Sequence, residues 1–368
     1  MRVGLDGRPL MGRRTGTGRY VFELCRELDL LLPDAQFYVY APTEVELPTE
    51  SGRWHCRTEA RRWARSLKPI AWLKLRAGRL CREDHLDVFW GSATLFPPLV
   101  TGVVYVTTVY DLTFRVAPDT MGRTHRLAHR LFFGRDVRRA TRRTAISHGT
   151  AQRLTAWLGG PPAAVIPPAV ALTFYPRAPE DVAQRLALLG ISQPYLLAVG
   201  TWEPRKNLEL LVRVFLALKL ESGFRDLTLV LAGGPGWRDK RLRKLLHGSG
   251  NAPVSPGSIL PLGFLSDEVL AHLYSGCRAF VFPSRYEGFG LPVLEARACG
   301  AVVLATDTPE LREAGGNDAL YVEATFEGLS DGIRRVMGGP PTQRTPPALN
   351  SWRRSAELLA QCFSTSDV

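Results

Sequence analysis

A four-residue apolar run, Ala279-Phe-Val-Phe282, stops at Pro283-Ser284, and a glycine-rich turn then opens onto a helix-forming stretch with a proline near its start. Few folds accommodate that order. An apolar run this short, stopped by proline, reads as a buried parallel strand. Gly288 and Gly290 allow backbone conformations closed to other residues and let a ligand approach the main chain closely. Pro292 suits the first turn of a helix over 291–299, where a missing N–H costs nothing. The amides of Phe289, Gly290 and Leu291 are then expected to be unpaired donors at the positive end of a helix dipole, suited to phosphate or a sugar hydroxyl. Two carboxylates flank this turn, Glu287 in the loop and Glu295 in the helix. A negative side chain beside a phosphate-binding helix start is electrostatically awkward, so both are expected to accept hydrogen bonds from the hydroxyls of a ribose or hexose. A plain helix start with a solvated Glu would produce the same spacing in isolation; the glycines and proline between the two acids argue against it.

The rest of the chain repeats the strand-then-helix order. In the N-terminal half, strands are predicted at 3–6, 36–40, 88–90, 103–109 and 145–147. A loop over 7–18, a helix over 19–31, basic helical segments and a helix over 149–158 separate them. A second series has strands at 195–199, 227–232, 259–262, 279–282, 301–306 and 320–322, with helices at 207–220, 240–246 and 266–275 between. Such alternation implies an α/β protein with parallel sheets covered on both faces. Pro167, Pro168, Pro176 and Pro179 mark the join. The expected organisation is an N-terminal domain over 1–175, a linker over 176–193, a C-terminal domain over 194–350 and a closing helical segment over 351–368 that crosses back to the first domain.

The chain has 368 residues, enough for two such cores. No apolar run has the length of a membrane span and the N-terminus lacks a signal-peptide core, so the expected location is the cytoplasm. Six scattered cysteines read as reduced thiols. The net charge of +12 is the compositional outlier. Residues 53–82 hold ten Lys or Arg with Trp54, Trp63 and Trp72 among them, and residues 123–143 hold eight Arg with Leu127, Leu131, Phe132 and Phe133. Basic helices with aromatic opposite faces suit peripheral contact with an anionic membrane, here the inner face of the cytoplasmic membrane. A solvated face over an aromatic core would read the same way, and phosphate-binding to nucleic acid is the weakest of the three readings.

Three further motifs carry chemistry. Arg205 and Lys206 follow the first strand of the second series and open a helix, where a flat multidentate donor and a compact charge can neutralise a diphosphate. Thr15-Gly16-Thr17-Gly18-Arg19 lies between the first strand and first helix, where Gly16 and Gly18 would bring amides to a phosphate. It lacks the third glycine of a dinucleotide fingerprint. Tyr110-Asp111 ends a strand; Asp111 fits either an acceptor-hydroxyl partner or a strand-end cap. Asp84 and Asp87 are separated by two residues and the histidines are dispersed, so no metal set is indicated.

Residues 287–296, Glu-Gly-Phe-Gly-Leu-Pro-Val-Leu-Glu-Ala, match the EGFGLPxLEA signature of glycosyltransferase family 4 without a mismatch. The resemblance covers 195–322 strongly, including Gly233 to Trp237, Gly263 to Ser266 and Phe282 to Ser284, and the N-terminal half loosely. It implies a GT-B fold, two Rossmann-like domains facing each other across a cleft, and a retaining transferase. In such an enzyme Glu287 lies beside the donor sugar, Glu295 holds the ribose, Gly288 to Leu291 meet sugar and diphosphate, and Arg205 and Lys206 bind the phosphates. Tyr110 stands where similar proteins have a His near the donor sugar, and Thr201 where many have an Arg. A phenol can hydrogen bond to a hydroxyl but cannot shuttle protons at neutral pH. The implied co-substrate is a nucleoside-diphosphate sugar, by analogy GDP-mannose, with a glycan or lipid-linked acceptor in cell-surface glycan synthesis, no cofactor and no metal. A nucleotide-sugar-binding protein without transfer activity is the alternative reading, motivated by Tyr110 and Thr201.

Overall fold

A computed structural model describes residues 1–12, 15–236, 240–247, 258–339 and 349–364, with the side chains of 123–125 and 247 left aside. Trp237, the end of one expected motif, lies outside the described residues. The chain forms two compact units: Met1–Phe114 with Arg123–Ala169 and Asn350–Val368, and Arg115–Gly122 with Val170–Leu349.

The first unit is built on a seven-stranded sheet: β1 (Arg2–Asp6), β2 (Gln36–Tyr40), β3 (Trp54–Arg57), β4 (Val88–Gly91), β5 (Val104–Val109), β6 (Arg142–Ala145) and β7 (Ala164–Val165), in the order β3-β2-β1-β4-β5-β6-β7. The second has six strands: β8 (Tyr195–Val199), β9 (Thr228–Ala232), β10 (Ile259–Gly263), β11 (Ala279–Phe282), β12 (Val303–Thr306) and β13 (Leu320–Val322), in the order β10-β9-β8-β11-β12-β13. All pairings between these strands are parallel. Each chain path runs outward from a central strand and then returns to that strand's other side. The reversal leaves a crevice at the carboxyl ends of β1 and β4 in one sheet and of β8 and β11 in the other, the place where open α/β sheets receive ligands.

Burial on both faces explains why β8 (YLLAV), β9 (TLVLA) and β11 (AFVF) are apolar without alternation. Helix Leu208–Leu218 covers part of this sheet with Leu208, Leu211, Val212, Phe215 and Leu218, the i, i+3, i+4, i+7 stripe of a half-buried helix. The loops leaving β8, β9 and β10 are joined by main-chain bonds: Gly200 N to Ala232 O at 2.9 Å, Gly233 N to Gly263 O at 2.6 Å and Trp202 N to Gly234 O at 3.0 Å. Gly233 is required there. Its φ is +130°, and a Cβ at this position would stand 2.1 Å from the Gly200 carbonyl oxygen.

Four sequence expectations change. The first helix starts at Gly16, not 19, because Thr15 caps it and its hydroxyl accepts from Gly18 N; part of the expected loop is its first turn. Residues 54–57 of the first basic segment are not helical but form β3, where Trp54 stacks on Phe37 at 4.2 Å. The expected linker 176–193 contains helix Pro179–Leu188, part of the second unit, with Val182 and Leu186 buried and Pro179 at its first turn. The strand expected at 145–147 is β6, ending at Ala145. The closing helix spans Trp352–Gln361 and packs on Gly16–Leu31, with Trp352 edge-on to Tyr20 at 5.9 Å.

Replacing Gly233 by Ala is expected to cost about 2–4 kcal/mol, from positive-φ strain and the clash with Gly200. Denaturant titration of the purified variant against wild type measures it; an unchanged midpoint would show that the three loops are not held this tightly.

Candidate donor-phosphate site

The crevice between β8 and β11 is lined from two loops. The loop after β8 turns through Pro204–Lys206 and passes Asn207, held in the left-handed conformation at φ 55°, before helix Leu208–Leu218 begins. The loop after β11 runs through Ser284, Tyr286 and Glu287 to Gly290, at φ +111°, and helix Leu291–Ala298. A side chain at Gly290 would meet Leu311 Cδ2 at 2.7 Å, so the turn needs glycine for its dihedral and for its packing.

The structure brings Arg205, Lys206 and Glu287 together. Lys206 Nζ donates to Glu287 Oε1 at 2.8 Å and Arg205 Nη1 donates to Glu287 Oε2. Arg205 Nη1 also reaches the Tyr286 carbonyl at 3.1 Å, and its Nη2 bonds Glu203 Oε1 at 2.8 Å. Lys206 lies 4.7 Å from the centre of the Phe282 ring. Glu287 is buried. Burial alone would raise its carboxyl pKa, but Arg205 and Lys206 outweigh that and hold it at about 2. Burial lowers the Lys206 ammonium, with Glu287 opposing the shift. The awkwardness of an acid beside a phosphate-binding helix start is thereby resolved: its charge is matched by two cations.

Past Glu287, the amides of Phe289, Gly290 and Leu291 donate no main-chain hydrogen bond to any of the described residues, while Val293 N closes the first turn on Gly290 O at 2.9 Å. Pro292 has no N–H to place. Glu295 is buried on the next turn and accepts from Tyr274 Oη at 3.1 Å. Tyr274 is fully buried on helix Asp267–Gly276.

The remaining expected residues lie in the first unit. Gly16 and Gly18 form the start of the first helix, and the Gly18 amide is used by Thr15. Tyr110 Oη donates to Ser92 O at 2.6 Å, and Ser92 Oγ donates to Asp6 O, so this phenol ties together the ends of β1, β4 and β5. Burial pushes it well above its ordinary pKa. With its proton committed to Ser92, it can only accept from a ligand hydroxyl. Asp111 Oδ1 accepts from Thr113 N at 2.8 Å, an i to i+2 Asx turn that leads into helix Thr113–Val116.

Sequence reasoning passed over three residues. Glu203 pairs with Arg205, and Tyr274 holds Glu295. Arg285 donates its main-chain N to Arg205 O at 2.9 Å and points Nε at Asn207 Oδ1 at 3.4 Å, a third cation beside the pair. The signal for Arg285 was its place two residues before Glu287; for Tyr274, nothing local marks it.

Two parallel sheets, each with a reversal crevice, define the architecture, and the second unit's crevice holds the Arg205, Lys206 and Glu287 cluster beside the start of helix Leu291–Ala298. Solved structures with this architecture include sucrose-phosphate synthase from Thermosynechococcus elongatus (20% identical, TM-score 0.72, covering 99% of this chain and 95% of that one). WaaG, a glycosyltransferase involved in lipopolysaccharide biosynthesis, is a second (16%, TM-score 0.70, 100% and 96%). The fold is GT-B. Residues 14–174 match the model of Glycosyltransferase Family 4 and residues 193–338 that of Glycosyl transferases group 1. The chain belongs to this glycosyltransferase family. Among curated relatives it is 38% identical over 151 residues to O-antigen chain mannosyltransferase B of Escherichia coli, covering 41% of this chain and 38% of that protein. It is 37% identical over 182 residues to the serotype-specific mannosyltransferase WbdA of Escherichia coli, covering 46% and 22%. The matches thus span less than half the length of either relative.

Replacing Glu287 by Gln takes the carboxylate partner from the half-buried Lys206 and leaves Arg205 with Glu203 only, and is expected to destabilise the protein by about 3 kcal/mol near neutrality. The folded carboxyl titrates below its unfolded value, so its contribution is complete above about pH 4.5 and fades as pH falls toward 2. Denaturation of both proteins from pH 3 to 8 should give a flat difference above pH 5 that narrows below 4.5; a difference that narrows already at pH 6 would contradict the double pairing.

Proposed function

We propose that the chain is a retaining hexosyltransferase that takes a sugar from a nucleoside diphosphate, GDP-mannose by preference, and moves it to a lipid-linked or polysaccharide acceptor in cell-surface glycan synthesis. The joint engagement of Glu287 by Arg205 and Lys206 at the β8/β11 crevice carries the reading. The mannosyltransferase names of the curated relatives support the sugar. A structural neighbour was solved with UDP-glucose, which supports a nucleotide sugar as ligand while leaving the base to be tested.

In this reading Arg205, Lys206 and the amides of Phe289, Gly290 and Leu291 stabilise the charge that develops on the leaving diphosphate. Glu295, oriented by Tyr274, accepts from the ribose. A carboxylate held at about 2 is a poor general base and, with both oxygens engaged by cations, a poor nucleophile. Glu287 therefore positions the transferred sugar, and the departing phosphate takes the acceptor proton on the same face. Tyr110, Gly16 and Gly18 are assigned to donor binding and Asp111 to an acceptor hydroxyl. No metal ion or organic cofactor enters the reading.

Incubation with GDP-mannose, UDP-glucose and dTDP-glucose, with and without lipid-diphosphate acceptors, tests this. Donor consumption with one of them is expected, with Glu287→Ala lowering kcat by at least about 100-fold and Glu295→Ala mainly raising donor KM. NMR of the product should show the donor's anomeric configuration kept. Binding without turnover would favour the nucleotide-sugar-binding reading that Tyr110 suggests, and no binding would overturn both.

The basic segments are read as a peripheral membrane face. No helix of the described residues is long and apolar enough to cross a membrane. Trp54 and Trp72 are core residues, but Trp63 (58% exposed), Leu75, Leu127 and Leu131 are not. Lys74 joins the two segments through Asp136 and the Phe132 ring, 5.2 Å away. Arg62, Arg65, Arg130 and Arg135 of the same segments are exposed as well. Co-sedimentation with vesicles containing anionic phospholipid is expected at low salt and should fall several-fold in Leu127→Ser/Leu131→Ser; equal sedimentation with neutral vesicles would refute the charge component.

A further inference from the structure

Arg205 and Lys206 are not an open pair of positive charges. Glu203 and Glu287 stand against them, so the four side chains sum to zero. Glu287 bridges both cations, while Glu203 Oε1 is 2.8 Å from Arg205 Nη2 and its field also reaches Lys206. A site meant only to grip phosphate would have no use for the second acid. Glu203 is also the least buried of the four, with 21% of its side chain exposed against 8% for Glu287. It therefore occupies the side of Arg205 away from Glu287 and closer to water.

We propose that Glu203 is a specificity-determining residue: its charge weakens binding of the released nucleoside diphosphate more than binding of the intact sugar nucleotide. The inference rests on the reading of Arg205 and Lys206 as the diphosphate site. The diphosphate of a sugar nucleotide is a diester with two negative charges. Breaking its bond to the sugar leaves a terminal phosphate with a further ionisation near neutrality, so the product is the more negative ligand. Repulsion from a fixed carboxylate scales with ligand charge, and groups this poorly exposed are weakly screened by salt. A net-neutral quartet thus keeps two orienting donors on the phosphates without turning the site into a trap for product, whose release limits many transferring enzymes.

Glu203→Gln separates charge from geometry, because the amide oxygen can still accept from Arg205 Nη2. Calorimetric titration of the full chain with GDP and GDP-mannose, and with UDP and UDP-glucose, is the test. In Glu203→Gln both ligands of the bound pair should tighten, the diphosphate more, so that the ratio of their Kd values moves about threefold or more toward product. Product inhibition in the transfer assay should deepen to match. Glu203→Asp keeps the charge and should keep the wild-type ratio; should Glu203→Gln fail to fold, Glu203→Ser carries the same comparison. An unchanged ratio in Glu203→Gln, or the same shift in Glu203→Asp, would overturn the role of Glu203 alone. Wild-type protein that binds none of the four nucleotides would overturn the donor-site reading and this inference together.

Discussion

The second unit is organised around one buried carboxylate. Glu287 meets Arg205 and Lys206, which lie more than eighty residues earlier in the chain, and in doing so fastens the loop after β8 to the loop after β11. Main-chain bonds follow the same path, from Arg285 N to Arg205 O and from Arg205 to the Tyr286 carbonyl. Removing three charges from water is costly, and such a cluster is stable only because each charge has partners with good geometry. The consequence is rigidity at the point where the sheet order reverses. A ligand in that crevice meets side chains already in place, which is the condition under which electrostatic stabilisation is largest.

The same pairing limits what the acid can do. A carboxylate that stays ionised far below neutrality and has both oxygens engaged will not take up a proton during a reaction cycle. What remains for it is to hold the two cations and the loop that carries them in place. The first unit has the corresponding reversal point and fills it differently. There Ser92 and Tyr110 hydrogen bond to strand-end carbonyls, and the Asp6 carboxylate pairs with Arg8 at 2.6 Å. The two units share a topology, and each places an ion pair at its reversal point: Asp6 with Arg8 in one, Glu287 with Arg205 and Lys206 in the other.

The donor unit was the more legible half, for a physical reason. Strands buried on both faces are continuous apolar runs, so β8, β9 and β11 stand out against polar loops. Strand β3 does not: Trp-His-Cys-Arg at a sheet edge, beside many arginines, carries no apolar run and was read as part of a basic helix. Pro179 looked like a breaker within a linker, but proline at the first turn is compatible with the helix it begins. In the site, the glycines, proline and both acids were visible because they are contiguous. Tyr274 and Glu203 were not, since their roles come from contacts made only once helices and loops have packed.

Charge is distributed by two different rules within the chain. In the crevice of the second unit Arg205 and Lys206 are matched by Glu203 and Glu287, with Arg285 alongside. In the basic segments of the first unit, Glu59 and Asp136 are buried and serve as inward anchors for Arg76 and Lys74. Those pairings fix the helices while Arg62, Arg65, Arg130 and Arg135 face solvent. Each buried acid offsets one cation, so the positive potential outside comes from the exposed arginines of these segments. The excess of +12 is therefore concentrated where it can act at a distance. Around Arg205 and Lys206, by contrast, two acids offset the two cations.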